Sequence, residues 1–405
     1  MPLADVTRRS LFQALKQYHG KPLVKALTGM RRVGKSVVLR QWRDELTSEL
    51  GPERILYVDK ESPDWDDLRD HKDLWEHAHR LPSDGPRAIL VDEVQQIEGW
   101  ERAVAALVGE AGFEVVITGS NAQMLSSELS TLLAGRHVQL PVWPLGFSEF
   151  LELRKGLGPP PETRDAEFLR FCRYGGLPAL HHFQWDHEVS SHYLRTVFDS
   201  VLFRDVVQRH GIRNAGLLER VARFAFDSVG SPLSTKSITD FLKSQGLRTG
   251  QSTIQEHLDH LASAYGLWSV QRLDVQGKRL LEFHGKHYAG DTGIRNALSG
   301  FRENDLGKTL ENLVFLELKR RGCTVHVGKV GEFEIDFVAE RDGARAYYQV
   351  AWKLESPATL ERELRPLRLI RDKHPCAILS MDPWFNGTPD GIRHIRVEDF
   401  LLGAE

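Results

Sequence analysis

Gly29, Gly34, Lys35 and Ser36 stand at the spacing G-x4-G-K-S within TGMRRVGKSVVL. Between a strand and a helix, such a stretch turns a nest of backbone N–H groups toward a phosphate chain. The predicted cradle runs through Gly29, Arg31, Arg32, Val33, Gly34, Lys35, Ser36 and Val37, with Lys35 on the β- and γ-phosphates and Ser36 on Mg²⁺. Downstream, the apolar run Ala88–Val91 ends in Asp92-Glu93. Asp92 is placed to hold the Mg²⁺, directly or through water, and Glu93 to polarise the attacking water. The run FEVVITGSNAQML carries Thr118, Gly119, Ser120 and Asn121, whose polar groups can reach the γ-phosphate or that water. Arg136, between a short helical stretch and an apolar run, is the candidate arginine for the γ-phosphate, in cis or from a neighbouring subunit; a plain surface arginine is the alternative. ATP and Mg²⁺ are the expected ligands, and ATP hydrolysis the expected reaction.

A second constellation lies in the last third. Glu311 falls on a helical stretch, GEFEIDFVAE puts Glu334 and Asp336 on one strand face, and AYYQVAWKL carries Gln349 and Lys353. A helix acid, a strand aspartate, and an acid or amide followed two positions on by lysine is how restriction-type nucleases bind Mg²⁺ and orient water. Here Ala351 stands where that lysine would be, and Lys353 is expected on the same face one pleat further on. The expectation is a nuclease-like fold without catalysis, kept for scaffolding or for recognising nucleic-acid shape. Recruitment of Lys353 is the route to an active nuclease.

Several kinds of element must position these groups. PLVKALTG, RILYVDKES, PRAILVDE and FEVVITG read as buried strands alternating with helices, a doubly wound sheet whose ligand lies beyond the strand C-termini. Asp59 and Glu61 are either acids near the Mg²⁺ or the hydrophilic end of a strand. RKGLGPPPET reads as a hinge. Two short helices, opening at Ser234-Thr235 and Ser252-Thr253, precede a strand–turn–strand, a winged-helix layout. The second helix is expected to expose Gln251, Gln255, Glu256, His257, Asp259 and His260, mixed in charge where a phosphate-tracking helix is basic. Lys236, Lys243, Arg248, Lys278 and Arg279 supply nearby cations. The expected fold class is α/β: a P-loop ATPase domain over 1–155, a helical lid or linker over 156–212, a winged-helix domain over 213–284 and a restriction-endonuclease-like α/β domain over 285–405.

Composition bounds the reading. The chain has 405 residues, 41% apolar and 27% charged, as in soluble proteins of several domains. Lys+Arg 53 against Asp+Glu 56 gives a formal charge of -3, which proposes no nucleic-acid partner globally. Cys172, Cys323 and Cys376 are scattered, as in a reducing compartment and unlike a cysteine-rich zinc site. Neither a signal-peptide core nor an apolar run of ~18 residues occurs, so a cytoplasmic protein without membrane spans is expected.

GMRRVGKS, ILVDEVQ, TGSNAQML with ELSTLLAGR, PLGFSEF and YGGLP together resemble a widespread prokaryotic AAA-type ATPase family with a C-terminal domain of unknown function. YAGDTG, LENLVFLEL and EIDFV are similar to the segment which that family pairs with its ATPase domain. The resemblance implies a Walker A role for Lys35 and Ser36, a Walker B role for Asp92 and Glu93 and a sensor role for Asn121. It also implies a nucleotide-responsive domain that signals to the C-terminal modules. Three activities stay open: an ATPase that rearranges those modules on DNA or a protein partner, a slow nucleotide-gated switch or scaffold that binds a protein, and an ATP-dependent DNA nuclease. A nucleotide-dependent homo-oligomer is open too, and Arg31 and Arg32 have either acids of this chain or a partner's surface as targets.

Overall fold

The computed structural model describes residues 8–121, 133, 135–157, 162–277, 279–354, 356–383 and 389–404. Residues 158–161 of the Gly/Pro hinge, most of ELSTLLAGR and Lys278 lie outside the described residues. Two compact units result, Met1–Pro144 with Ser263–Tyr265, and Leu145–Ala262 with Gly266–Glu405.

The first unit contains α1 (Arg9–Tyr18), β1 (Val24–Thr28), α2 (Lys35–Leu50), β2 (Ile55–Asp59), α3 (His71–His79), β3 (Arg87–Asp92), α4 (Trp100–Gly109), β4 (Phe113–Gly119) and β5 (His137–Pro141). Its five strands are parallel, in the order β2-β3-β4-β1-β5. Every residue of β1, β3 and β4 is buried, which is why VKALT, RAILVD and FEVVITG are so apolar. Two of the charged exceptions pair: Lys25 of β1 and Glu114 of β4 meet at 2.8 Å in the interior. β4 lies between β1 and β3, so the P-loop and the Asp92-Glu93 pair flank the polar tip of β4.

The second unit begins at Leu145 rather than near the expected boundary at 155. It opens with α5 (Phe147–Gly156), α6 (Arg164–Tyr174) and α7 (His187–Ser200), which runs on as π-helical turns over Val201–Gln208. The early start has a packing reason. Arg154 of α5 forks onto Glu167 of α6 through two 3.0 Å bonds, both side chains being buried, and Phe147 stacks edge-on against Phe168. There follow α8 (Ala215–Asp227), α9 (Thr235–Ser244), α10 (Gln251–Ser263), β6 (Leu267–Asp274), β7 (Arg279–Ala289), α11 (Thr292–Ser299) and α12 (Leu306–Arg320). The unit ends with β8 (Thr324–Val330), β9 (Phe333–Arg341), β10 (Ala344–Val350), α13 (Pro357–Arg368), β11 (Cys376–Ser380), β12 (Arg393–Arg396) and α14 (Val397–Leu401).

A seven-stranded mixed sheet in the order β12-β11-β10-β9-β8-β6-β7 organises it. The β6–β7 hairpin, expected to close a separate module at 284, belongs to this sheet. Arg272, Leu273 and Asp274 of β6 pair in parallel with Val327, Gly328 and Lys329 of β8, covering an edge that would otherwise present unpaired N–H and C=O groups. On α10, His257 is buried rather than exposed: it falls on the stripe of Ile254, Leu258 and Leu261, three and four residues apart.

Candidate functional site

The loop between β1 and α2 is built for close backbone approach. Gly29 has φ 152° and Gly34 φ 99°, and a Cβ at Gly29 would lie 2.2 Å from the Val142 carbonyl oxygen. Arg32 takes φ 68° without being glycine, a conformation that costs ~1–2 kcal/mol. The buried guanidinium of Arg8 braces the outside of the loop, donating to the carbonyls of Val33 (2.8 Å) and Trp143. Arg8 was not legible as a site residue. Inside the loop, Lys35 Nζ donates to the carbonyls of Gly29 (3.0 Å) and Met30 (3.2 Å) and lies 3.9 Å from Glu93 Oε1.

The parallel strands bring the acids to the same edge. Ser36 and Thr118 both hydrogen-bond the Asp92 carboxylate, and the Thr118 hydroxyl accepts the Glu93 N–H at 2.9 Å. Burial raises the Asp92 pKa, against which these two hydrogen bonds work. Glu93 sits in a left-handed turn (φ 52°), and Gln95 Nε2 donates to its Oε2. Ser36 and Asp92 thus present a hydroxyl and a carboxylate to one point, the hard-oxygen donor set that suits Mg²⁺. Asn121 is buried at the tip of β4, its Nδ2 donating to Ser263 Oγ at 3.3 Å. Tyr265 hydrogen-bonds Thr28, the last residue of β1. Ser263 and Tyr265 both count in the first unit.

The arginines divide three ways. Arg31 meets Glu61 at 3.3 Å, so an acid of the same chain answers it, while Arg32 points to solvent. Asp59 ends β2 opposite Asp92. Arg136 is a correction. Its carbonyl accepts the Val24 N–H and it immediately precedes β5, whose His137 pairs with Val24. It therefore stands at the N-terminal edge of a parallel sheet whose C-terminal edge holds the P-loop. With ~3.3 Å per strand residue, the five-residue β1 separates the two by ~16 Å. Arg136 does not reach its own chain's phosphate site.

The second constellation closes around a lysine that sequence reasoning missed. Lys286 of β7, 4% exposed, lies 2.8 Å from Glu311, 2.8 Å from Glu334 and 3.5 Å from Asp336. Tyr288, two residues on along β7, also donates to Glu311, and Arg272 donates to Glu334 at 2.8 Å. Burial alone would lower the Lys286 pKa, but the three carboxylates outweigh it and hold the ammonium charged. Asp336 is pushed up to about 8, first by burial and then by Glu311. Gln349 is nearby, its Oε1 accepting the Asp336 N–H (3.3 Å) and its Nε2 donating to Glu363 (2.9 Å). Lys353 is the second correction. β10 ends at Val350, the backbone turns where Leu354 N–H bonds Asp382, and Lys353 is exposed beyond the strand. Among the described residues no group of three His, Cys, Asp or Glu is disposed to hold a metal ion.

The first site lies within a stretch that matches a known domain family. A family model for an AAA domain matches residues 21–151, and one for a domain of unknown function, DUF8612, matches residues 165–305. A Haemophilus influenzae protein described as uncharacterized is 34% identical over 405 residues, spanning 99% of this chain and 100% of that one. The chain belongs to the family of that Haemophilus protein. A Methanocaldococcus jannaschii protein, also described as uncharacterized, is 27% identical over 358 residues, 84% of this chain and 77% of its own. Among solved structures, a Walker-type ATPase of Pyrococcus abyssi shares the fold at 14% identity, with a TM-score of 0.54 over 72% of this chain and 95% of that one. Residues 21–151 thus form an ATP-binding AAA-type domain with the P-loop ATPase fold, and a C-terminal α/β unit follows. No described helix is long and apolar enough to cross a membrane.

Proposed function

We propose that the protein is an Mg²⁺-dependent ATPase whose nucleotide cycle drives its C-terminal unit on a DNA or protein partner. The observation that carries this reading is the convergence of Lys35, Ser36, Asp92, Glu93 and Thr118 at one edge of the sheet. Lys35 exchanges its carbonyl partners for phosphate oxygens. Ser36 and Asp92 would hold Mg²⁺, which would supply positive charge against the phosphates. Glu93 polarises the water that attacks the γ-phosphorus, giving ADP and phosphate. Asn121 and Thr28 touch Ser263 and Tyr265, a short segment covalently continuous with α10 and β6. Nucleotide-dependent release of Asn121 from Ser263 passes along that segment.

The C-terminal unit works as a catalytically silent, nuclease-like scaffold bearing a winged-helix layout. Lys286 among Glu311, Glu334 and Asp336 supports this, because an ammonium takes up the carboxylates a divalent metal would need. The exposed face of α10, with Glu256 and Asp259 beside Gln251 and Gln255, favours a protein over DNA as partner.

Steady-state turnover of the wild type and of Glu93→Gln tests the ATPase. Turnover in the wild type should exceed that of the variant by ~100-fold or more, with ATP binding retained. Turnover below ~0.01 per second in both would sink the motor and favour a slow nucleotide-gated switch. DNA binding that falls steeply with salt would turn the partner assignment to nucleic acid.

A further inference from the structure

The second unit holds a cavity of about 170 Å³ in the region matched by the domain of unknown function, between the end of α6, the face of α7 and the start of α11. Two sequence motifs not used by the ATP site build its floor. In YGGLP, Gly176 N–H bonds Asp291 Oδ2 at 2.8 Å, and in YAGDTG the same carboxylate takes the Ile294 N–H at 3.1 Å. A Cβ at Gly293 would lie 1.9 Å from the Tyr174 carbonyl oxygen, and one at Gly175 2.3 Å from Asp291. Asn296 adds bonds to the carbonyls of Cys172 and Arg173. The end of α6 is therefore clamped to the start of α11, and the groups above are held in place.

Those groups are donors. Arg173, Tyr174, His187, Ser191 and Arg195 line the cavity with Phe301, and no carboxylate does. Arg173 Nη2, Tyr174 Oη and Ser191 Oγ all lie 3.3–3.4 Å from His187 Nδ1. A guanidinium only donates, so in its contact with Arg173 the Nδ1 atom is the acceptor. One lone pair cannot serve three donors, which leaves hydroxyl protons to turn into the cavity. Arg173 is sandwiched by Tyr174 and Phe301 at 5.5 and 5.6 Å from the ring centroids, and its buried Nε has no hydrogen-bond partner. Arg195, an exposed side chain of α7, donates through Nε to the Ala297 carbonyl, 3.2 Å away. Neither has a carboxylate partner among the described residues, whereas Arg154, Arg164 and Arg170 in the same unit each pair with glutamate.

We propose that this cavity binds a phosphate-bearing small ligand, its phosphate oxygens taken by Arg173 and Arg195 from two helices and by His187 and the hydroxyls between them. A phosphate monoester offers three terminal oxygens to this number of donors; a carboxylate offers two. Equilibrium binding of inorganic phosphate to full-length protein tests this, in a Lys35→Ala background that removes the P-loop contribution. Binding should persist in Lys35→Ala and weaken by about tenfold or more on adding Arg173→Gln or Arg195→Gln. Ser191→Asp, which puts a carboxylate into the cavity, should do the same, so that the result does not depend on one variant folding. ATP binding by the Arg173, Arg195 and Ser191 variants in a Lys35 chain should match the wild type. Absence of phosphate binding to Lys35→Ala, indifference to all three cavity substitutions, or tighter binding of succinate than phosphate would overturn the proposal.

Discussion

Each unit buries a lysine near carboxylates at its candidate site, and these two lysines are held differently. Lys35 donates to two neutral carbonyl oxygens and meets Glu93 only at 3.9 Å. Lys286 has three carboxylates within 3.5 Å. Carbonyl partners are surrendered to phosphate oxygens at little loss, so Lys35 is poised for a ligand. Carboxylate partners, deep in the fold, are not surrendered without stranding charge. Similar side chains thus make a working site in one place and a structural lock in the other.

The largest effect expected is on the lock. Lys286→Ala leaves Glu311 buried without its cation, while Glu334 keeps Arg272, and should destabilise the second unit by ~3–5 kcal/mol, read by calorimetric or denaturant unfolding, with ATP affinity unchanged. A full-strength fold in that variant would break the contrast. Next comes Lys35→Ala, which should cut ATP turnover by ~10²–10³-fold and leave unfolding of the second unit unmoved. The smallest effect sharpens the electrostatics. Because the folded-state pKa of Asp336 is raised to about 8, its proton is kept on folding. The unfolded state loses that proton near the ordinary carboxylate value, so stability falls as pH rises from there to about 8. Asp336→Asn removes this loss: it should raise the unfolding temperature at pH 8 and leave it nearly unchanged at pH 4. Cleavage of supercoiled DNA in Mg²⁺ that Asp336→Ala abolishes would overturn the lock altogether.

The P-loop was legible because its chemistry is local: Gly29, Gly34, Lys35 and Ser36 are contiguous or nearly so, and Asp92 ends a strand whose apolar run announces it. Where order along the sheet mattered, sequence said less. Arg136 follows a glycine and precedes an apolar run, but only the parallel pairing of β5 with β1 reveals the edge on which it stands. Lys286 was missed for a related reason. Its partners lie on α12 and β9, and the signal available was the period-two placement of Lys286 and Tyr288 on one strand face. Lys353 falls off the strand face because Ala351 and Trp352 still bond the backbone of Leu379 and Met381, and the chain leaves that pairing just before Lys353.

The parallel pairing of β6 with β8 bears on how the chain can be taken apart. A fragment cut at 284 would split β7 and carry away β6, baring the flank of β8 as a template for aggregation. The putting-together is affected as well. β6 must find its second strand partner among residues made later in synthesis, so its flank stays unpaired until β8 emerges. Dissection of this protein therefore does not belong inside the sheet.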